Sequence, residues 1–516
     1  TRRQCGGVLA ALMAGNTVIL KPASATASTG LALANCLWEA GIPREVLQFV
    51  SCSGETGRKL ITDDRVDGVI LTGGWRTARM FLGCKPGMRL FAETSGKNAM
   101  VITAAADAEQ AVKDLVKSAF GHSGQKCSAA SLAIVESELY DSPAFRRQLR
   151  DAAASLAVGP SWDLDSIITP LVTEAGEALR RGLLHLDPGE EWLLEPRMED
   201  GNPRLWSPGI RLGVNPKGWF HRTECFGPVL GVIRADNLQH AIAIQNDSSF
   251  GLTGGIHSLD PAEIAGWRAA VEIGNAYINK PITGAIVRRQ PFGGWKNSCF
   301  GPGAKAGGPN YCAMLGIWKN TGLPRASAAV SESVAGLLEK LRGALPADAE
   351  RLQAAAESDA AAWRREFGGE HDPSGLACES NVFRYRPFAL GLVRAGTETT
   401  DAELARILLT AACAGVELEV SVSHDRPFLA VTGVEAIVES APEFARRRLV
   451  ESAGWLALRA PRVSAALKSA AIVAGVRLVD HPVLWNARLE SLWLLREQSV
   501  SETRHRYGNL LPEAGA

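Results

Sequence analysis

The chain has 516 residues, 46% hydrophobic and 21% charged, with 55 Lys plus Arg balancing 55 Asp plus Glu. That length suggests about three domains of ordinary globular composition, and the zero net charge gives no electrostatic case for a nucleic-acid or anionic-membrane partner. Ten scattered cysteines without a C-x-x-C pair argue against a metal site or a disulfide framework and for a reducing, cytoplasmic setting.

Arg2 and Arg3, the apolar stretch from Val8 to Leu20 and the Pro22-Ala23-Ser24-Ala25 string have the outline of a signal peptide. Gly15-Asn16 splits that stretch, which reads better as a helix over 7–14, a turn, and a buried strand over 17–20. No run reaches the roughly 18 apolar residues of a membrane span. A helix over 28–40, a strand over 47–50, a short helix near 57–61, a strand over 68–71 and a helix over 76–82 follow. This alternation predicts one parallel sheet with helices on both faces and ligands at the carboxyl ends of its strands. Strands over 89–92 and 99–103 bracket Glu93-Thr94-Ser95-Gly96-Lys97-Asn98, and a helix over 108–120 leads into 121–128. A second α/β domain runs on to about residue 318. From there to about residue 367, Ala, Glu, Arg and Leu at helical spacing predict two solvent-facing helices. Segments 388–393, 402–412, 416–422, 428–431, 441–450 and 471–479 then suggest a third α/β unit without a phosphate loop, read as structural. The expected boundaries are 1–93 for a partial cofactor domain, 94–320 for a catalytic domain, 321–370 for a helical linker and 371–516 for a C-terminal domain.

Cys127, in a Gly-containing loop after a helix and beside Lys126, has the setting of a thiol with a lowered pKa. A thiolate attacks an aldehyde carbonyl, and hydrolysis of the thioester left after hydride loss needs a carboxylate base. Alone, Cys127 reads as a packing residue and Glu93 as an exposed strand-end carboxylate. Leu71-Thr72-Gly73-Gly74 leaves a strand and opens a helix, a place suited to pyrophosphate but lacking the G-x-G-x-x-G pattern. Lys21-Pro22, Glu224-Cys225-Phe226-Gly227-Pro228 and Gln290-Pro291-Phe292-Gly293-Gly294-Trp295 complete the set. A Cys–His hydrolase pairing Cys127 with His122 would leave the Gly73-Gly74 turn and the Glu93 loop unexplained.

In this order the six segments resemble the aldehyde dehydrogenase superfamily over about residues 5–318. The Glu-to-Cys interval, 127 − 93 = 34 residues, is similar to its glutamate-semialdehyde branch. The strings A-E-T-S-G-K-N, F-G-H-S-G-Q-K-C-S-A-A-S and T-G-A-I-V-R-R-Q-P-F-G-G-W, with the tail Leu495–Leu510, resemble the bifunctional proline utilization A family. The resemblance implies a Rossmann-type cofactor domain, an α/β catalytic domain and a C-terminal aldehyde-dehydrogenase-like domain without cofactor. It implies Cys127 as nucleophile, with its backbone N–H as an oxyanion donor, and Glu93 as base. Lys21 and Ser24 fall at the adenosine ribose, Thr72, Gly73 and Gly74 at the pyrophosphate turn, and Glu224 with Phe226 at the nicotinamide ribose. Thr283, Gly284 and Ala285 fall on the loop for the substrate carboxylate, with Phe292 and Ser128 beside the substrate. The implied reaction is NAD-dependent oxidation of L-glutamate γ-semialdehyde to L-glutamate. The implied partner is an upstream proline dehydrogenase domain, where FAD belongs, and association into a homo-oligomer is compatible with the family.

Three departures stand out. The family's P-W-N-F-P-like segment, whose Asn is the second oxyanion donor, precedes the stretch matching Gly6–Ala14, and Thr1–Gln4 do not match it. The expectation is therefore an N-terminally truncated piece of a longer protein, with a catalytically silent structural fragment as the alternative reading. Trp75 and Arg76 stand where the family commonly has a small hydroxylated and an acidic residue, and Ser24 stands where many relatives have Glu.

Overall fold

The computed structural model describes residues 2–301, 303–449, 456–506 and 508–510. The N-terminal segment folds as helix α1 (Arg2–Met13), a Gly15-Asn16 turn and strand β1 (Val18–Leu20), in line with the helix–turn–strand reading. Helix α2 (Ala27–Glu39), strand β2 (Leu47–Phe49), helix α3 (Gly54–Thr62), strand β3 (Gly68–Thr72), helix α4 (Trp75–Cys84) and strand β4 (Arg89–Glu93) follow. The single parallel sheet expected here is instead two: β1 pairs with β2, and β3 with β4, each in parallel. Three-residue strands offer little ladder to extend, and α1 bridges the gap, with Gly7 packed against Ile70.

The catalytic segment supplies β5 (Asn98–Ile102), α5 (Ala108–Phe120), β6 (Ala130–Glu136), β7 (Glu191–Leu194), β8 (Gly209–Leu212), β9 (Val229–Ala235), β10 (Thr253–His257), β11 (Asn275–Ile278) and β12 (Cys299–Phe300). Asp107 caps α5 by accepting from the Gln110 N–H, and Gly121 ends it. Strand β5 shows why the sheet is buried on both faces. Ala99 and Val101 join a core with Ile134, Ile233 and Trp267, while Met100 and Ile102 join Leu115, Phe120 and Val232.

The last third departs most from expectation. It contributes α6 (Glu332–Ala344), α7 (Ala349–Ala362), β13 (Glu370–His371), β14 (Glu379–Pro387), β15 (Leu390–Ala395), α8 (Asp401–Ala414), β16 (Glu417–Val422), β17 (Ala436–Val438), β18 (Ala457–Arg459), β19 (Arg477–Val479) and β20 (Leu495–Thr503). Strands β13, β14 and β20 extend the catalytic sheet, whose order is β13-β14-β20-β11-β10-β5-β6-β9-β8-β7. The run from β20 to β8 is parallel. Residues placed within a separate 371–516 domain thus complete the catalytic layer. In the other direction, β12 leaves the 94–320 segment to pair antiparallel with β4, setting Cys299 opposite Glu93.

The supposed linker helices are not solvent-facing connectors. Leu338 and Leu341 of α6 and Leu352, Ala355 and Ala356 of α7 lie in one core with Leu404 and Leu408 of α8. Asp359 of α7 forms a fully buried bidentate pair with Arg406 of α8, at 2.6 and 2.8 Å. Alanine-rich faces let these helices approach closely, so the 321–370 stretch is a layer of the C-terminal unit. That unit's sheet, β17-β16-β15-β18-β19, is wholly parallel in the doubly wound order 3-2-1-4-5. The expected segment 441–450 is a short helix, Ala441–Phe444, continued by a π turn, Ala445–Leu449; residue 450 lies outside the described residues. Among the described residues, no helix is long and apolar enough to cross a membrane, and no cluster of metal-ligating side chains forms.

Candidate active site

The carboxyl ends of β3 and β4 face the amino ends of β5, β6, β9, β10 and β11, and the site residues collect between these two edges. The hub is the segment 94–98. The Thr94 N–H donates to Ser298 O at 3.0 Å, and the Ser298 hydroxyl donates to Ser95 O at 2.7 Å. The Ser95 hydroxyl accepts from the Trp75 N–H at the start of α4, at 3.3 Å. The Gly96 N–H donates to Glu224 Oε1 at 2.9 Å. The Asn98 amide donates to Cys127 O at 2.7 Å and Ala129 O at 2.9 Å, while its oxygen accepts from the Thr253 N–H at 3.0 Å. One short loop therefore links the cofactor turn, the Glu224 loop and the nucleophile turn. Gly96 is required sterically, because a Cβ there would lie 2.7 Å from Cys127 O.

Cys127 is half-buried on a turn that enters β6, next to a bulge at Ser131 where the β5–β6 register shifts. Before it, His122 (φ 59°), Ser123 (φ 54°) and Gly124 (φ 68°) are consecutively left-handed. The two non-glycine residues there are strained. The Ser123 hydroxyl holds the turn by donating to Thr169 O at 2.7 Å and accepting from the Thr169 N–H at 3.0 Å. Gly124 passes so close to the Glu224 loop that a Cβ would meet Gly227 O at 2.1 Å. Ser128, directly after Cys127, is buried.

Glu93 ends β4, in register with Thr72 on β3. It lines a cavity of about 30 Å³ with Gly293, Gly294, Cys299 and Tyr311. Burial, with Glu93 adding to it, pushes the Cys299 thiol up to about 12 and raises the Tyr311 phenol. Burial likewise lowers Lys305, whose ammonium bonds Asn275 Oδ1 at 2.7 Å and also Gly293 O.

At the cofactor turn, Gly73 N–H is taken by Glu93 O at 3.2 Å, whereas Gly74 opens α4 with no side-chain cap. The N–H groups of Gly74 and Arg76 meet no acceptor among the described residues. Arg76, in the first turn of α4, also lines a cleft of about 540 Å³ formed mainly by residues 171–181 with Gln125, Trp219, Thr223 and Phe226. Phe226 is held at φ 57° and is 43% exposed. Trp75 packs back under its own helix, 4.7 Å from the Arg79 guanidinium. Burial raises the Glu224 carboxyl, opposed by the Gly96 N–H, the Ser95 hydroxyl and Lys97. Lys21 follows β1 of the separate β1-β2 sheet and lies along Gly57 of α3, and exposed Ser24 begins the next short turn.

The substrate-side loops reach the same edge. The Ile282 N–H donates to the Ser118 hydroxyl near the end of α5, which sets Thr283, Gly284 (φ 88°) and Ala285 beside the helix that delivers Cys127. Phe292 is buried and its N–H donates to Ala306 O at 2.9 Å. Pro291 O accepts from Asn275 at 3.0 Å and Ser499 at 2.7 Å. Asn98, Asn275, Ser298 and Lys305 escaped the sequence reading as organisers of the site. Of these, Asn98 was inside a segment already singled out.

The aldehyde dehydrogenase family model matches residues 4–317. A 1-pyrroline-5-carboxylate dehydrogenase of Geobacillus thermodenitrificans is 36% identical over 324 residues, 60% of this chain and 61% of that protein. The chain thus spans about three fifths of the length of the curated relatives it matches. The structure of proline utilization A from Corynebacterium freiburgense is 43% identical with a TM-score of 0.85, covering 98% of this chain and 49% of that one. A Thermus 1-pyrroline-5-carboxylate dehydrogenase with bound NAD is 33% identical with a TM-score of 0.54, covering 58% and 59%. With more than half of its length under one family model, this chain belongs to the aldehyde dehydrogenase family.

Proposed function

We propose that the chain oxidises L-glutamate γ-semialdehyde to L-glutamate with NAD⁺, in concert with an upstream flavin-dependent proline dehydrogenase domain that supplies the aldehyde. The observation that carries this reading is the 94–98 hub, which ties Glu224, the cofactor turn and the Cys127 turn together by direct hydrogen bonds. The residues present fit NAD⁺: an uncapped helix start for the pyrophosphate, an ionisable Glu224 for the nicotinamide ribose, and a cleft of about 540 Å³ bordered by Phe226. Lys21 and Ser24 would hold the adenosine ribose.

In this mechanism the Cys127 thiolate adds to the aldehyde carbon, and the carbonyl oxygen becomes an oxyanion met by the Cys127 backbone N–H. Bound NAD⁺ supplies the acceptor for the hydride that turns this adduct into a thioester. Glu93 then removes a proton from water, the hydroxide adds to the thioester, and the C–S bond breaks to release glutamate and restore the thiolate. The cavity beside Glu93 is large enough for a water molecule. Thr283, Gly284 and Ala285 would hold the substrate α-carboxylate through backbone N–H groups, with Phe292 and Ser128 against its chain.

The test follows reduced-cofactor absorbance with this aldehyde. Cys127→Ala is expected to lose at least about a thousandfold in turnover, as removal of a nucleophile does. Undiminished turnover in that variant would sink the assignment.

A further inference from the structure

Lys97 follows the Gly96 N–H that holds Glu224, and it is 4% exposed. Its ammonium lies 3.9 Å from the centroid of Phe220 and has no hydrogen-bond acceptor among the described residues. A ring face compensates only part of a buried ammonium's lost hydration, so the remainder must come from opposite charge. The surroundings narrow where that charge resides. Arg211 sits on the same ring at 4.6 Å but is already balanced by buried Glu190 and bonded to Gly182 O and His185 O. His221 is neutral: its Nδ1 accepts from the Lys217 N–H at 2.8 Å, its Nε2 faces Ile244 O at 3.1 Å, and burial lowers its pKa. Burial raises the Cys225 thiol, which keeps it protonated. Of the consecutive acidic groups Cys225 and Glu224 whose charge acts most on Lys97, the protonated thiol leaves Glu224 as the anion, anchored at 2.9 Å to the Gly96 N–H one residue before Lys97.

We propose that Lys97 is a positioning residue for the cofactor: its buried charge keeps Glu224 ionised, so that the carboxylate can accept hydrogen bonds from the nicotinamide ribose hydroxyls. This rests on the reading of Glu224 as the ribose carboxylate. The pair supports itself electrostatically. Burial drives Glu224 up and brings Lys97 down to about 8, and each opposes the other's shift. Without Lys97 the Glu224 carboxyl rises further, so part of it is protonated in the neutral range and cofactor is lost. As pH rises, Glu224 ionises regardless, and the deficit closes. Above pH about 8 the wild-type Lys97 itself loses its proton, where Glu224 no longer depends on it.

The experiment measures NAD⁺ dissociation constants on the full chain by tryptophan fluorescence quenching, without aldehyde, between about pH 6.5 and pH 9, a range chosen to bracket these ionisations. Lys97→Met is expected to bind about tenfold more weakly at the acid end and within about threefold of wild type at the alkaline end. Glu224→Gln is expected to be weak throughout, and adding Lys97→Met to it should cost nothing more. A Met deficit that is absent or constant with pH, or fully additive with Glu224→Gln, overturns the proposal. Lys97→Arg keeps the charge and covers the case in which the Met variant does not fold. It should bind within about threefold of wild type at every pH, and an Arg variant as weak as Glu224→Gln overturns the charge argument. A wild-type chain that binds no NAD⁺ overturns both this inference and the Glu224 reading, whereas binding without aldehyde turnover strikes only the proposed substrate.

Discussion

Helices α4 and α8 each leave a strand that pairs in parallel with a neighbour, and they begin in opposite ways. At α4, Gly74 stands at the N-cap with no side chain to offer, and Arg76 in the first turn lines the cleft that also reaches Phe226. At α8, Thr400 and Glu403 form a reciprocal capping box. Arg462, from the loop after β18, crosses to Glu403 and to Glu398 O. Arg426 binds Asp401 at 2.6 Å, Gly396 O at 2.9 Å and Thr399 O at 2.8 Å. The crevice between β15 and β18 is where a sheet of this order takes a ligand. Here the chain's own carboxylates and guanidinia fill it. Under the proposed function, two strand-to-helix turns thus differ as a binding edge and a stabilised seam, according to which side chains meet the first turn of the helix.

The largest test of that contrast is Arg426→Ala. Arg426 is 4% exposed, and its loss leaves two backbone carbonyls and Asp401 without their donor. The expected cost is about 2–4 kcal/mol in the unfolding of the C-terminal unit, read by denaturant titration, with NAD⁺ affinity unchanged. A loss of cofactor affinity with intact stability would mean that this seam is not separate from the binding edge.

Gly74→Asp addresses the other turn. The backbone there, at φ −74° and ψ 152°, suits a capping residue, and a Cβ meets nothing within 4 Å. An Asp should stabilise α4 by only about a few tenths of a kcal/mol while placing negative charge at the proposed pyrophosphate turn, weakening NAD⁺ by about tenfold. Unchanged affinity by the same fluorescence titration would remove the cofactor from this turn.

The contrast was only partly legible in the sequence. Local signals carried the first 130 residues well. The helix expected over 108–120 is α5, Ala108–Phe120, because Asp107 caps it and Gly121 stops it. Cys127, Glu93 and Glu224 could be singled out as candidates because each lies in a short motif. Ser298 was not, since its partners Thr94 and Ser95 lie some two hundred residues away and no local pattern reports such a bond. The destination of β14 and β20 was hidden for a related reason. Neither 379–387 nor 495–503 carries a clean apolar alternation, with only Leu495 and Val500 apolar in the second, and which sheet they join depends on the edge that β11 exposes. The burial of α7 was misread because its contact face is alanine, a residue that suits both solvent and close helix packing, and because Asp359 signals solvent until Arg406 is placed against it.

The smallest test isolates the cap itself. Thr400→Ala removes the hydroxyl that accepts from the Glu403 N–H at 3.2 Å, and with it one half of the box. Glu403 keeps its backbone bond to the Thr400 N–H at 3.0 Å and its pair with Arg462, so the helix start is weakened rather than opened. The expected loss is about 1 kcal/mol, with no gain of NAD⁺ binding, because the carboxylates that occupy the crevice remain. If this single substitution instead conferred NAD⁺ binding on the C-terminal unit, the cap hydroxyl rather than the surrounding charge would be what separates a seam from a site.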